Sequence, residues 1–232
     1  MITLLSDEEQ LAWYMQKARK AECVPVTRVS SGYPLVLRDR LGLDSPGCLW
    51  AKGDLSLLET PKLALVGSRE LRTKNHAFAY EAGKQAALQG YTLVSGNARG
   101  ADTVAQDACL EHGGKVISVV ADRLDQHPAH PSVLYLSEDG FEQPFSSQRA
   151  LSRNRVIHCL GAFVLVAQCT YGKGGTWNGT LQNLRNNWSP VFCFDDESRS
   201  FAELTQCGAK SITMEQLQNL QSLKSEPNLF DQ

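Results

Sequence analysis

Glycine-rich loops that carry a cation are the feature of this sequence best suited to binding a ligand. Three such loops follow predicted strands, two with arginine and one with lysine. Glycine lets the backbone approach a ligand, and turned backbone N–H groups bind phosphate oxygens. The three loops together therefore predict a phosphate site, although any one of them could be an ordinary tight turn. The candidate contacts are Gly67, Ser68 and Arg69; Ser95, Gly96, Arg99 and Gly100; and Gly172, Lys173, Gly174, Gly175 and Thr176.

A fourth candidate segment is basic rather than glycine-rich. We predict that Ser152 caps a helix, which places Arg153 and Arg155 in its first turn. Cations are unfavourable there because the helix dipole is already positive, so a bound anion would explain them. Alternatively, one arginine pairs with a distant carboxylate. Because i, i+2 residues face different directions, we expect one arginine in the anion site and one in a structural role. Arg149 and Asn154 complete this candidate set.

The charge distribution agrees with an anion-binding face. The chain has a net charge of −2, yet no Asp or Glu lies between Gln143 and Phe194. The same stretch holds Lys173 and four arginines. This asymmetry predicts either an anion-binding surface or a largely buried stretch that avoids acids.

Strands alternate with helices along most of the chain, which predicts the scaffold that positions these loops. The expected fold is α/β, with a doubly wound, mostly parallel and Rossmann-like sheet covered on both faces. Ligands bind such sheets at the carboxyl ends of the strands, where all the candidate loops fall. Strands are predicted at 62–66, 91–94, 115–121, 133–136, 162–167 and 191–194, and helices at 75–89, 101–112, 153–160 and 176–187.

We expect three parts in the chain. Residues 1–60 form an N-terminal extension packed on the main domain, with a helix over 1–22 and irregular structure over 24–61. Residues 61–197 form the Rossmann-like domain. Residues 198–232 form a C-terminal helix, to about 223, and a polar tail.

In this order, the motifs resemble those of the DNA-processing protein A family (DprA, also called Smf). Gly67-Ser68-Arg69 comes first, followed by Ser95-Gly96-x-Ala98-Arg99-Gly100-x-Asp102 and Arg153-Asn154-Arg155-x-Ile157. The resemblance implies a non-catalytic protein that binds single-stranded DNA in recombination and natural transformation. It also implies a homodimer that helps to load a RecA-type recombinase. Arg69 would touch the DNA backbone, and the other motif loops would line the same pocket.

The sequence also departs from this family. Members often carry an aromatic residue three positions before the first arginine of the last motif, with a basic residue upstream. Ala150 and Ser147 stand at those places. Phe145, Tyr171 or Trp177 could supply the stacking ring, and we expect at least two of these three rings to pack in the core. Many members have a C-terminal winged-helix domain, for which too few residues follow the last predicted strand.

A nucleotide sensor or a phosphoribohydrolase of the same superfamily is the alternative. Gly174-Gly175-Thr176 resembles part of the PGGxGTxxE motif of those hydrolases, but Gly179 stands where the catalytic glutamate would be. Asp102 is the remaining motif carboxylate, and it could instead cap a helix. A third reading is an adaptor whose Leu229-Phe230 tail docks on a partner such as a sliding clamp, unless the tail folds back on the domain.

The composition of the chain excludes several other classes of protein. Hydrophobic residues make up 42% of the 232-residue chain and charged residues 21%, which is enough for a full core and excludes a disordered chain. No stretch approaches the roughly 18 apolar residues of a membrane span. The acidic N-terminus and seven cysteines without a CxxC pair predict a cytoplasmic protein. The histidines lack metal-ligand spacing, so we expect no metal and no cofactor.

Overall fold

A nine-stranded sheet forms the centre of the computed structural model, which describes residues 7–224. The strand order is β1-β2-β6-β5-β4-β3-β7-β8-β9. The seven neighbouring strands β6, β5, β4, β3, β7, β8 and β9 are parallel to one another. At one edge of the sheet, β2 pairs antiparallel with β6, and β1 pairs antiparallel with β2. This confirms the predicted, mostly parallel α/β fold. The strands are β1 Val24–Thr27, β2 Cys48–Lys52, β3 Lys62–Val66, β4 Thr92–Ser95, β5 Lys115–Val119, β6 Val133–Ser137, β7 Val164–Val166, β8 Val191–Phe194 and β9 Lys210–Ile212.

Side chains alternate along each buried strand, so both faces of the sheet present apolar side chains. Helices cover both of these faces. On β3, Leu63 and Leu65 pack in one core with Phe78, while Ala64 and Val66 pack in the other core. Strands that are buried on both faces need the continuous apolar runs seen in the sequence. The helices are α1 Glu8–Lys20, α2 Leu35–Leu41, α3 Thr73–Leu88, α4 Ala101–Glu111, α5 Ser147–Ser152, α6 Asn154–Leu160, α7 Gly174–Asn186 and α8 Arg199–Gln206.

The prediction of irregular structure over 24–61 is wrong. This segment holds β1, α2 and β2, and β2 continues the sheet through its antiparallel pairing with β6. Leu37 and Leu49 are fully buried in the same core as the central strands. The strands are four and five residues long and lie among turn residues, so their periodicity was too short to detect. The division of the chain at residue 60 stays a prediction.

The prediction of one helix over 198–223 is also wrong. Helix α8 ends before Gly208, which has a φ of +105° that favours glycine. Strand β9 then pairs parallel with β8, and a 3₁₀ segment spans Glu215–Lys224. The Leu229-Phe230 motif lies outside the described residues, as do the first six residues of the predicted N-terminal helix.

Residues 7–224 contain neither a candidate membrane-spanning helix nor a candidate metal-binding cluster. None of the helices in this range is long and apolar enough to cross a bilayer. No three His, Cys, Asp or Glu side chains of the same range are grouped so that they could hold a metal ion.

A buried histidine makes the stability of this fold depend on pH. His158 of α6 is fully buried, and its Nδ1 accepts a hydrogen bond of 3.1 Å from the Asn183 side-chain amide. Burial lowers the pKa of His158 to about 4, from 6.5. Between these values the unfolded chain binds a proton that the folded chain does not, so stability falls as the pH falls.

We therefore expect His158 to remove up to about 3 kcal/mol of unfolding free energy between pH 6.5 and pH 4. His158→Gln should remove this part of the pH dependence, while His76→Gln, at an exposed position, should leave it intact. Urea denaturation at both pH values measures the effect. An equal fall of stability in wild type and His158→Gln would contradict the assignment.

Candidate functional site

The carboxyl ends of β3, β4, β5 and β7 meet at one edge of the sheet and open into a groove. The groove consists of two adjoining cavities, of about 450 Å³ and about 810 Å³. The smaller cavity lies at the ends of β4 and β5, and the larger one lies between β3 and the start of α7. Both cavities are lined by Arg69, Ala98, Arg99, Ala150 and Arg153.

The groove brings together most of the residues that the sequence singles out. Ser95, Gly100, Arg149, Arg155 and Gly172 are the predicted residues that do not line it. Those that do are Gly67, Ser68, Arg69, Gly96, Arg99, Arg153, Asn154, Lys173, Gly174, Gly175 and Thr176.

The N-terminus of α7 forms one wall of the larger cavity. The helix begins at Gly174, and within residues 7–224 no side chain caps it, so the N–H groups of its first turn are available to an anion. The Thr176 hydroxyl donates to the Gly67 carbonyl (2.9 Å), and the Asn154 amide donates to the Gly175 carbonyl (3.2 Å). These two bonds fix the α7 N-terminus against the loop at the carboxyl end of β3 and against the first residue of α6.

Arg153 is a buried, charged residue that lines both cavities of the groove. Its residue exposure is 6%, and its guanidinium lies against Gly96, where a Cβ would overlap it. Within residues 7–224 its side chain makes no hydrogen bond and has no carboxylate within 4.0 Å, and its buried Nε is unsatisfied. Burial lowers the pKa of Arg153, against the opposing effect of Asp102. A buried guanidinium without a partner is unfavourable, so an anion would stabilise it.

Asp102 orders the loop after β4. Its carboxylate accepts hydrogen bonds from the Gly96 and Ala98 backbone N–H groups, at 3.1 Å and 3.3 Å. Burial raises the pKa of Asp102, while Arg153 and the two N–H donors lower it. The carboxylate thus connects the first turn of α4 to the loop that supports the Arg153 guanidinium.

The structure corrects the expected helix start. The predicted helix over 153–160 corresponds to α6, and a second short helix, α5, precedes it with Arg153 at the junction. The predicted Ser152 cap is wrong, because Ser152 is the last residue of α5 and Arg153, the residue before α6, makes no side-chain capping bond. Ser146 caps α5, since its hydroxyl accepts from the Arg149 N–H at 3.1 Å.

Arg149 and Arg155 make structural contacts instead of lining the groove. Arg149 Nε donates to Asp139 at 2.6 Å, and its Nη1 donates to nearby backbone carbonyls. Arg155 Nη2 donates to Glu138 at 2.9 Å. Both carboxylates follow β6, just outside the acid-free stretch. Of the two arginines of the motif, Arg153 faces the groove and Arg155 is structural.

The other three predicted residues outside the groove are explained by packing and loop direction. Ser95 is buried and accepts a hydrogen bond from the Gln106 amide. Gly100 has a φ of +95°, and a Cβ there would overlap the carbonyls of the loop after β3. Gly172 also has positive φ and lies in the turn before α7, with open space around it.

Among the three candidate rings, Phe145 is the one that lines the groove. It is 55% exposed and forms part of the smaller cavity. Trp177 is the one of the three that is buried in the core, and Tyr171 is 39% exposed, so the expectation that at least two of the rings pack in the core is wrong. Tyr171 lies edge-on to Trp177, with ring centroids 5.1 Å apart, and the Arg199 guanidinium lies 3.9 Å from its centroid.

Sequence reasoning missed several groove residues that follow strand ends. Gln168, just after β7, bridges the loop after β3: it accepts from the Arg72 N–H and donates to the Glu70 carbonyl, both at 2.9 Å. Asp122, just after β5, lines the smaller cavity and pairs with His127 at 2.8 Å, which lowers the Asp122 pKa. The rule that ligands bind at strand ends would have found both residues, which lack the glycine signal.

Fold and site together define a Rossmann-like α/β protein with a groove lined by arginine, lysine and glycine at the carboxyl edge of its sheet. Comparison with known proteins identifies the family. The model of the DNA recombination-mediator protein A family matches residues 25–222, and the chain belongs to this family.

Named relatives agree with this assignment. DNA processing protein DprA of Streptococcus pneumoniae is 35% identical over 184 residues, which cover 73% of this chain and 64% of that protein. The X-ray structure of DprA from that species has a TM-score of 0.78 and 28% identity, covering 92% of this chain and 77% of the other. A Helicobacter pylori DNA processing protein A structure, described for its single-stranded DNA binding mode, has a TM-score of 0.72 and 23% identity. The match covers 89% of this chain and 98% of the other.

The contact between Gly96 and Arg153 predicts a specific energetic coupling. Gly96→Ala should destabilise the fold by about 1–3 kcal/mol, because the new methyl group overlaps the guanidinium. Arg153→Ala removes the overlapping atoms, so the penalty of Gly96→Ala should largely vanish in the double variant. Denaturant unfolding of the four proteins measures this coupling.

Gly47→Ala is the matched control, since a Cβ at Gly47 meets no atom within 4 Å. Its effect should be the same with and without Arg153. If the Gly96→Ala penalty persists in full on the Arg153→Ala background, the guanidinium does not lie where the structure places it.

Proposed function

We propose that this chain binds single-stranded DNA in the groove and acts, without catalysis, as a mediator of DNA recombination. The observation that carries the proposal is the buried Arg153 guanidinium, which faces the groove without a partner in the described chain. Membership of the recombination-mediator family supports DNA as the source of the anion.

The groove offers the contacts that a single strand needs. Arg153, Lys173 and the α7 N-terminus supply donors for backbone phosphates, and Arg69 lies at the rim. Phe145 supplies an exposed ring on which a base can stack. Bases in a duplex are already stacked on each other, so the combination of a recessed guanidinium and a ring favours a single strand.

Further parts of the proposal come from the family resemblance. We propose a homodimer that works in the cytoplasm, in transformation or another recombination pathway, with a RecA-type recombinase as its partner. All seven cysteines are free, which is compatible with a reducing compartment.

The site geometry does not favour the hydrolase alternative. The Asp102 carboxylate is buried and already holds two backbone N–H groups. Gly179 packs against Asn154 and His158, so a glutamate at this position would have to displace them. Free nucleotides serve as competitors in the binding experiment and distinguish a nucleotide sensor from a strand-binding protein.

Arg153→Ala should weaken binding of a labelled oligo-dT by tenfold or more, since charged hydrogen bonds contribute about 1.5–3 kcal/mol. Losing one phosphate contact should also reduce the slope of log affinity against log salt by about 0.7. Fluorescence anisotropy at several salt concentrations measures both effects, with circular dichroism to verify folding.

Arg185→Ala is the matched control, because Arg185 is exposed on α7 and lies outside the groove. Arg153→Lys should retain part of the affinity. Wild-type binding by a folded Arg153→Ala protein would refute the site. Displacement of the strand by a free nucleotide at lower concentration than by unlabelled oligo-dT would favour the sensor.

Phe145 should contribute by stacking rather than by charge. Phe145→Leu should weaken oligo-dT binding about tenfold with no change in salt slope, because a stacked base contributes about 1–3 kcal/mol. Phe145→Tyr should bind like wild type. Tyr171→Leu is the matched control, because the Tyr171 ring lies outside the groove. If Tyr171→Leu lost affinity for oligo-dT while Phe145→Leu did not, the stacking site would be at Tyr171 instead.

A further inference from the structure

Helix α5 and the segment just before it line both cavities of the groove, and each cavity has a large apolar side chain from this region. Phe145, just before the helix, lines the smaller cavity, and Leu151, near its end, lines the larger one. These large apolar side chains are 55% and 50% exposed. Each therefore offers a nucleobase an apolar surface in its own cavity.

Ala150 is the point on α5 where the two cavities join. It lines both of them, and its side chain is a single methyl group, which takes up little space between them. Arg153 also lines both cavities and is 6% exposed. One anion above Ala150 can therefore contact Arg153 while it is bonded to groups on both sides.

The two cavities also differ in the contacts that they offer. Each has a volume typical of a small-ligand site. The larger one ends at the uncapped α7 N-terminus beside Lys173, where a second phosphate would find N–H donors and a cation. The smaller one has the Phe145 ring but no helix N-terminus, so it suits a base better than a phosphate.

We infer that the recognition unit of this groove is a dinucleotide step, with one nucleotide in each cavity and the joining phosphodiester above Ala150 on Arg153. The inference deepens the proposed function and rests on it. A dinucleoside phosphodiester could be part of a DNA strand or a free dinucleotide, and the competition experiment distinguishes these sources.

The experiment displaces labelled oligo-dT with dTMP, with the 5′-phosphorylated dinucleotide pTpT, and with longer thymidylates. We expect pTpT to compete at least tenfold better than dTMP, because it adds a second base contact and the bridging phosphate. A third nucleotide should add less than the second. Equal competition by dTMP and pTpT would overturn the inference.

Ala150→Leu tests the passage itself. The larger side chain should close the junction and remove the advantage of pTpT over dTMP, so that the two compete at similar concentrations. Gln148→Leu is the matched control, because Gln148 is exposed on the same helix and lines neither cavity. A full pTpT advantage in the Ala150→Leu protein would refute a continuous groove.

The two proposals fail in different ways. If wild type binds no oligo-dT, the proposed function itself is wrong. If it binds oligo-dT but dTMP competes as well as pTpT, the dinucleotide step is wrong. If pTpT binds as tightly as long thymidylates, the dinucleotide step stands and a free dinucleotide becomes the ligand.

Discussion

The contact between a buried arginine and a glycine is the constraint on which the rest of this site depends. Arg153 lies in the protein interior without a carboxylate within 4.0 Å in residues 7–224, and its guanidinium fills the space that a Cβ at Gly96 would occupy. Removing a charge from water without pairing it lowers stability by several kcal/mol, which hydrophobic burial elsewhere in the fold must offset. The fold retains this unfavourable group at the edge of the sheet where ligands bind. This is expected of a residue that lowers the stability of the fold but is needed for binding.

The surroundings of Arg153 are rigid because separate contacts fix each loop of the groove. Asp102 holds the loop after β4 by two N–H groups, and Gln168 holds the loop after β3 by two backbone groups. Arg72, at the start of α3, pairs with the buried Asp196 after β8. An anion that enters the groove therefore meets donors that need little rearrangement, which lowers the ordering cost of binding.

The sequence predicted the central parallel sheet well because its strands are continuous apolar runs that end in glycine loops. It missed β1, β2 and β9, whose three to five residues lie at the sheet edges and give no clear pattern. Motif reasoning placed one of Arg153 and Arg155 at the ligand but could not choose between them. That choice depends on Glu138, which follows a strand distant in sequence and pairs with Arg155. The sequence also could not choose Phe145 from the three candidate rings, because the exposure of a side chain depends on tertiary packing.

Charge alone does not explain how this groove would hold a polyanion. Three acidic residues line it beside the cations, namely the buried Asp102 together with Glu70 and Asp122, and Glu70 lies 3.4 Å from Arg99. These carboxylates offset part of the positive potential at the rim, so exposed cations attract a strand less than their number suggests. The buried guanidinium is little screened by solvent, and backbone N–H groups carry no countercharge. Affinity therefore depends mainly on the recessed donors and on the apolar side chains of α5 and its flank, which require a flexible strand with accessible bases.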